Sequence, residues 1–418
     1  MQVAIIGGGI GGLSLALALH QRGIACTVYE ATAAIRPLGV GINLLPHATG
    51  ALSKLGLLPA LERVAITTRE AAFYTRFGQL VYTEPAGRHA GYATPQLSIH
   101  RGDLQMALLE AAAARLGREA IRCGRRLLAV EQDAAGATLR LADPAGAALP
   151  AERADAVVGA DGIHSALRRQ LFPEEGPPIY SGVNMWRGTT RMRPILSGAT
   201  MVRAGWLAHG KMVIYPIRQH EDGTQLMNWV AEIETPVHQA NDWGLPGRLE
   251  DFLPAFADWH FDWLDVPAMI RATEQVLEYP MVDKDPLPFW SAGRVTLLGD
   301  AAHPMYPRGA NGAGQAILDA MALAECLAAE PDAPAALKAY EARRLGPTAE
   351  VVRANRTSPP DAILREVWLR SGDRPFARIE DVIAPAELAA MIEGYKRIAG
   401  YDRAALASGS ERSGPAGR

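Results

Sequence analysis

Residues 1–31, MQVAIIGGGIGGLSLALALHQRGIACTVYEA, decide the fold. Val3 to Ile6 is an unbroken apolar run, the pattern of a parallel strand covered on both faces, and it leads directly into Gly7-Gly8-Gly9-Ile10-Gly11-Gly12. Leu13, Ala16, Leu17 and His20 then recur at helical spacing, Gly23 closes the helix, and Cys26 to Glu30 reads as a second strand ending in a carboxylate. Strand, glycine turn, helix and strand in this order make a βαβ dinucleotide fingerprint.

Each glycine has a mechanical part in that reading. Gly7 makes the tight turn, Gly9 lets backbone approach a pyrophosphate, and Gly12 permits close packing of helix on strand. The helix start, with Gly11 in its first turn, offers unpaired N–H groups and a positive dipole end, which favours an anion by about 0.3–1 kcal/mol even where exposed. Glu30 stands eighteen residues beyond Gly12, where a carboxylate accepts from ribose hydroxyls and repels a 2′-phosphate. FAD or NAD therefore fits better than NADP, and the fingerprint alone leaves both open.

A chain of 418 residues with 49% hydrophobic content buries a large core and is expected to divide into two domains. A net charge of −3 without a basic stripe argues against nucleic acid, and the pairs Arg125-Arg126, Arg168-Arg169 and Arg343-Arg344 read as solvated faces. Three widely spaced cysteines, Cys26, Cys123 and Cys326, suit a reducing cytoplasm without a disulfide framework. The first strand begins at once with no basic leader, and no apolar run reaches membrane-spanning length, so a cytoplasmic protein without a membrane partner is predicted. Ten scattered histidines with no HExxH or CxxC predict no metal site, and Ser14 lacks the glycine spacing of a nucleophile elbow.

Further along, Pro37, Gly39 and Gly41 mark an ordered loop in which backbone can approach a flat ligand, before a helix around His47 to Leu55. Glu70 to Tyr82 alternates like strands, Asp103 opens a helix over Leu104–Arg115, and residues 120–159 read as a strand meander. Two more motifs follow. In AVVGADGIHSALR (156–168) a buried strand runs into Asp161-Gly162, and in RVTLLGDAAHPMYPRGANGAGQAI (294–317) a strand ends at Gly299-Asp300 before a glycine-rich loop opens a helix near Gly312. Between them, 177–280 holds strand-like pieces and six of the eight tryptophans, Trp186, Trp206, Trp229, Trp243, Trp259 and Trp263, which marks a second domain and suits an apolar wall for a flat substrate. Beyond about 330 the chain is helical and Ala-rich, and SGSERSGPAGR (408–418) has the composition of a disordered tail.

Taken together, GGGIGG with Glu30, GADGIHSALR and LLGDAAHPMYPRGANGAGQAI resemble the single-component FAD-dependent aromatic hydroxylases over roughly residues 1–350. IRPLGVGIN, LSIHRGDLQM, MWRG, YPMVD and DPLP are similar to its phenazine hydroxylase branch, which acts on 5-methylphenazine-1-carboxylate. The resemblance implies an α/β fold: a discontinuous Rossmann-type FAD-binding domain (1–72, 98–176 and 281–350), a sheet-rich substrate domain (73–97 and 177–280), and C-terminal helices with a flexible tail (351–418). It further implies that Gly9, Gly12 and Glu30 hold the ADP half of non-covalent FAD, that Arg101 and Asp300 reach pyrophosphate and ribitol, that Asp161 and Gly162 lie near the pyrophosphate and the nicotinamide donor, and that Leu127 offers backbone to adenine.

The implied chemistry is reduction of FAD by NADH or NADPH and transfer of one oxygen atom from O₂, through a flavin C4a-hydroperoxide, to an aromatic or N-heteroaromatic ring. Independently of that resemblance, the loop Gly309–Gly314, with Gly312 and Ala313 at the helix start, presents N–H donors to an anionic flavin edge, while Pro304 and Pro307 limit its freedom. Arg187 and Tyr215, on the strands MWRG and VIYP, and His47, after GVGIN, are the candidate catalytic residues at the substrate. The alternatives are a flavin oxidase or dehydrogenase acting on another heterocycle, including one in a modified peptide, or on an unsaturated lipid, and a non-catalytic FAD protein. A long apolar tunnel would favour the lipid. Either a monomer or a homodimer is compatible with the sequence.

Overall fold

The computed structural model describes residues 1–37, 39–235 and 245–411. Trp243 and the last seven residues of the expected tail lie outside the described residues, while the backbone of 408–411 continues a helix, Arg403–Glu411.

The first motif forms as its pattern requires. Strand Gln2–Ile6 turns at Gly7 into helix Ile10–His20 and returns as strand Ala25–Glu30, paired in parallel with the first. Gly7 has φ +110°, a conformation open to glycine, and a Cβ at Gly12 would sit 2.0 Å from the Gly7 carbonyl oxygen. The five-stranded sheet has the order Val295–Leu297, Ala156–Gly159, Gln2–Ile6, Ala25–Glu30, Ile121–Cys123. The second and third motifs thus enter the same sheet as the first, side by side, and all three glycine turns leave its carboxyl edge. Helix Gly312–Ala329 has the length and composition of a membrane span, contrary to the sequence expectation, yet most of it is packed inside the protein.

The second sheet has eight strands in the order Leu245–Pro246, Leu277–Asp283, Ile179–Met192, Gln225–Glu234, Lys211–Gln219, Thr200–Gly205, Glu70–Tyr74, Leu80–Pro85. Strand Gln96–His100 instead pairs with Gly41–Leu44 and Ile66–Thr68 in a separate three-stranded sheet. The last long helix, Ala333–Thr357, runs unbroken across residue 350, and helices Ala362–Ser371 and Pro385–Ala399 pack on the outer strands of the large sheet through Ile363, Leu364, Val367, Leu388 and Ile392.

Period-two alternation assigns the large sheet two different faces. Trp186, Val202, Met212, Ile214 and Trp229 point into one apolar core with Phe252, Phe256 and Trp259. Their neighbours in sequence point the other way, toward the first domain. Of the tryptophans expected at a substrate wall, Trp186, Trp229 and Trp259 therefore fill the core behind it and Trp263 packs against that core, where large aromatics bury most area, while Trp206 packs instead against the cluster of Val183, Met185 and Leu207. Arg168 also departs from expectation. It is 1% exposed, donates from Nη1 to the carbonyls of Ala301 and Ala302 at 3.0 and 2.9 Å, and pairs with Glu175. Those carbonyls belong to the turn after Gly299-Asp300 and need a donor once buried, which the helix after Asp161-Gly162 supplies.

Candidate active site

A cavity of about 870 Å³ lies between the carboxyl edge of the five-stranded sheet and the polar face of the eight-stranded one. This is where ligands bind in open parallel sheets. Gly7, Gly9, Gly11, Glu30, Gly41, Arg101, Leu127, Asp161, Gly162, Asp300, Pro307, Gly312 and Ala313 all line it, as do Arg187 and Tyr215. Gly12 and His47 do not: Gly12 is the packing point described above, and His47 lies behind the Pro307–Gly312 loop.

The residues present fit FAD on several counts. Helices Ile10–His20 and Gly312–Ala329 both start at the cavity, with no side chain capping their first amides and no acidic residue in their first turns, so donors remain for a diphosphate and for a flavin carbonyl. A Cβ at Gly9 would meet nothing within 4 Å, the space a cofactor backbone contact needs. Asp161 Oδ2 caps the helix after it by accepting from Ala166 N–H at 2.8 Å, while its Oδ1 is buried without a protein partner. Burial raises its carboxyl pKa. Glu30 accepts from the Gly8 N–H at 2.8 Å and from the Thr32 N–H at 2.8 Å, which fixes the carboxylate at the cavity wall. Asp300 projects into the cavity: solvent reaches it from there, protein surrounds it on the other sides, and that crowding raises its carboxyl pKa against the pull of His303 and Arg101.

The opposite wall is built by alternation along four strands. Met185 and Arg187, Met201 and Arg203, Lys211, Val213 and Tyr215, and Val230 and Glu232 all face the cavity. Arg187 Nη2 donates to the Gly41 carbonyl at 2.9 Å, and its Nε is buried without a partner. The Tyr215 phenol is buried beside the Arg187 guanidinium; burial raises its pKa against the pull of that charge, so it stays protonated and neutral. Sequence reasoning missed the charged end of this wall. Lys211 pairs with Glu232 at 2.9 Å and with Asp361, which in turn holds Arg203 at 2.8 Å. The spacing Lys211-x-Val213-x-Tyr215 carried a signal for one face; nothing local marked Asp361, which arrives from the C-terminal segment. Among the described residues no tryptophan lines the cavity, and its charged wall is unlike an apolar lipid tunnel.

Known proteins share this architecture. Residues 1–355 match the family model described as FAD binding domain. The chain is 43% identical to a phenazine 1,6-dicarboxylic acid hydroxylase of Lysobacter antibioticus, over 95% of this chain and 96% of that one. It is 37% identical to a 3-amino-4-hydroxybenzoate 2-monooxygenase of Streptomyces platensis, over 97% and 98% of the two chains. Among solved structures, Klebsiella pneumoniae HpxO complexed with FAD and uric acid superposes with a TM-score of 0.76 at 25% identity, covering 97% of this chain and 98% of that one.

Proposed function

The chain belongs to the FAD-binding family of aromatic hydroxylases and is an FAD-dependent monooxygenase acting on a small molecule, and from that premise we propose that it uses NAD(P)H and O₂ to hydroxylate a planar, phenazine-like N-heteroaromatic acid. The observation that carries the substrate class is the alternating wall. Met185, Met201, Val213 and Val230 offer flat apolar area, and Arg187, held by a backbone carbonyl rather than a carboxylate, borders it with a cation suited to a substrate carboxylate, whereas Arg203 and Lys211 are already paired with Asp361 and Glu232.

FAD, when bound, takes hydride from the nicotinamide donor and activates oxygen; the hard chemistry is the cofactor's. The protein's residues bind, orient and exclude water. In this reading the amides at the start of helix Ile10–His20 receive the diphosphate, Glu30 the ribose, Arg101 and Asp300 the pyrophosphate and ribitol, Asp161 and Gly162 the pyrophosphate region, and Leu127 the adenine edge. The amides of Gly312 and Ala313, with Pro307 and Gly41 across the cavity, hold the flavin edge. Tyr215, kept protonated, donates to a ring nitrogen or hydroxyl of the substrate, and Arg187 orders both Tyr215 and Gly41. Three free cysteines support a reducing, cytoplasmic setting, and the enzyme works as a monomer or homodimer.

The test is a screen of planar aromatic acids, phenazine carboxylates among them, that follows NADH and NADPH oxidation and O₂ uptake while measuring peroxide separately from hydroxylated product. An N-heteroaromatic acid that raises turnover several-fold and suppresses peroxide supports the reading. Turnover stimulated only by carboxylate-free aromatics or by lipids overturns the substrate class.

A further inference from the structure

The loop Tyr306–Gln315 is a thin partition. Pro307, Arg308, Ala310 and Gly312 face the cavity on one side. On the other side the loop rests on buried polar groups that come from three distant helices.

Tyr395, from helix Pro385–Ala399, is 2% exposed and donates its hydroxyl to Asn355 Oδ1 at 2.6 Å. The same hydroxyl accepts from Asn311 Nδ2 at 3.4 Å. Asn355 Nδ2 donates onward to the Tyr306 carbonyl at 3.0 Å, so one phenol ties together both ends of the segment 306–311. Asn311 Oδ1 lies 3.0 Å from His47 Nε2, and the His47 ring is stacked on Tyr401 with centroids 5.4 Å apart. Gln315 Nε2 donates to the Ala399 carbonyl at 3.1 Å. The contact is intimate: a Cβ at Gly309 would fall 1.6 Å from the Tyr395 hydroxyl oxygen.

This partition also carries a strained residue. Ala310 has φ +52°, a left-handed conformation rare for a side-chain-bearing residue, which persists only where the surroundings over-determine it. Asn311 and Asn355 are 1% and 0% exposed, so neither can exchange a lost partner for water.

We propose that the C-terminal helix Pro385–Ala399 is a brace for this loop, and that Tyr395 is its positioning residue, holding Tyr306, Gly309 and Asn311 in the one conformation that shapes the cavity wall at Pro307–Ala310. His47, which does not reach the cavity, belongs to the same brace through Asn311. Loss of the Tyr395 hydroxyl leaves Asn311 Nδ2 and Asn355 Oδ1 without that partner, and the loop then samples other conformations. Such freedom lets water into the cavity during oxygen chemistry, and reducing equivalents are lost as peroxide.

Tyr395→Phe removes one oxygen atom and keeps the ring. In the FAD-loaded protein, hydrogen exchange of the amides in 307–315 should rise at least tenfold over the wild type, while exchange in the five-stranded sheet is unchanged. The fraction of NADH converted to peroxide in the presence of a productive substrate should rise several-fold. Asn311→Ala should raise exchange in the same amides by at least as much, since it also removes the partner of His47, and the double variant should fall short of the sum of the two, because the Tyr395–Asn311 link is lost in both. Exchange at 307–315 equal to the wild type, or a rise shared equally by the whole chain, would overturn the proposal. So would additive effects of the two substitutions.

Discussion

Arg187 donates from Nη2 to the carbonyl of Gly41 at 2.9 Å, joining the long strand Ile179–Met192 of the substrate sheet to the first residue of strand Gly41–Leu44. Asn228 Oδ1 accepts from the N–H of the same glycine at 2.7 Å. Both polar backbone groups of Gly41 are thus held by the facing sheet, and the seam between the two halves of the cavity is fixed at that residue.

Gly41→Ala tests the seam. A Cβ there would approach Asn228 Cβ to 2.7 Å and Ile217 Cγ2 to 2.8 Å, and neither is a free-swinging chain end. Overpacking of this kind costs about 1–3 kcal/mol. Thermal unfolding should move down by several degrees, and FAD titration should show weaker binding; a variant with the wild-type midpoint and affinity would contradict the described seam.

Asp300→Ala should weaken FAD binding more than it disturbs folding. The carboxylate faces the cavity, and loss of a charged hydrogen bond costs about 1.5–3 kcal/mol, or roughly ten- to a hundredfold in affinity. Fluorescence titration of the apoprotein with FAD measures it, and unchanged affinity would remove Asp300 from the cofactor site.

The dinucleotide unit was legible because everything that makes it is local: an apolar strand, a glycine turn, an apolar helix and a second buried strand within thirty-one residues. The Asp161 and Asp300 motifs were legible for the same reason, each being a strand end followed by a turn. The substrate wall was legible only in part. Composition showed that tryptophans crowd 177–280, but which face of a strand a residue takes depends on what covers the sheet, and here Trp186 and Trp229 took the covered face. Arg168, Asp361 and Tyr395 were not legible at all, since their partners are 133 residues away in one case, on the strands of another domain in the second, and 84 residues away in the third.

Trp229→Phe and Met201→Ala should therefore separate stability from binding. Trp229 is fully buried and donates from Nε1 to Thr273 Oγ1 at 2.9 Å and Thr190 Oγ1 at 3.2 Å, so its replacement costs about 1–3 kcal/mol and leaves KM within about twofold. Met201 faces the cavity, and its truncation should raise KM about tenfold or more. Denaturant melts and steady-state kinetics on both variants decide the matter; a raised KM for Trp229→Phe with unchanged stability would place the indole at the substrate after all.

His47 links the brace to pH. Burial, followed by the nearby charge of Arg344, lowers its pKa from 6.5 to about 4 despite the opposing hydrogen bond with Asn311. The folded state thus holds the ring neutral while the unfolded chain takes up a proton below 6.5. The stability this contributes is complete above pH 6.5 and is lost as pH falls toward 4, by about 3 kcal/mol over the whole window. His47→Gln, which does not titrate there, should flatten that part of the stability profile; an equal slope in both proteins would mean that the ring is protonated in place.

The central claim, oxygen transfer to an aromatic acid, is tested most directly by turnover under ¹⁸O₂ with mass analysis of the product. One ¹⁸O atom should appear in each molecule hydroxylated, and product formation should stop without oxygen. Substrate-dependent turnover that runs equally fast under anaerobic conditions with an artificial electron acceptor, and leaves no label in the product, would contradict the account and make the protein a dehydrogenase.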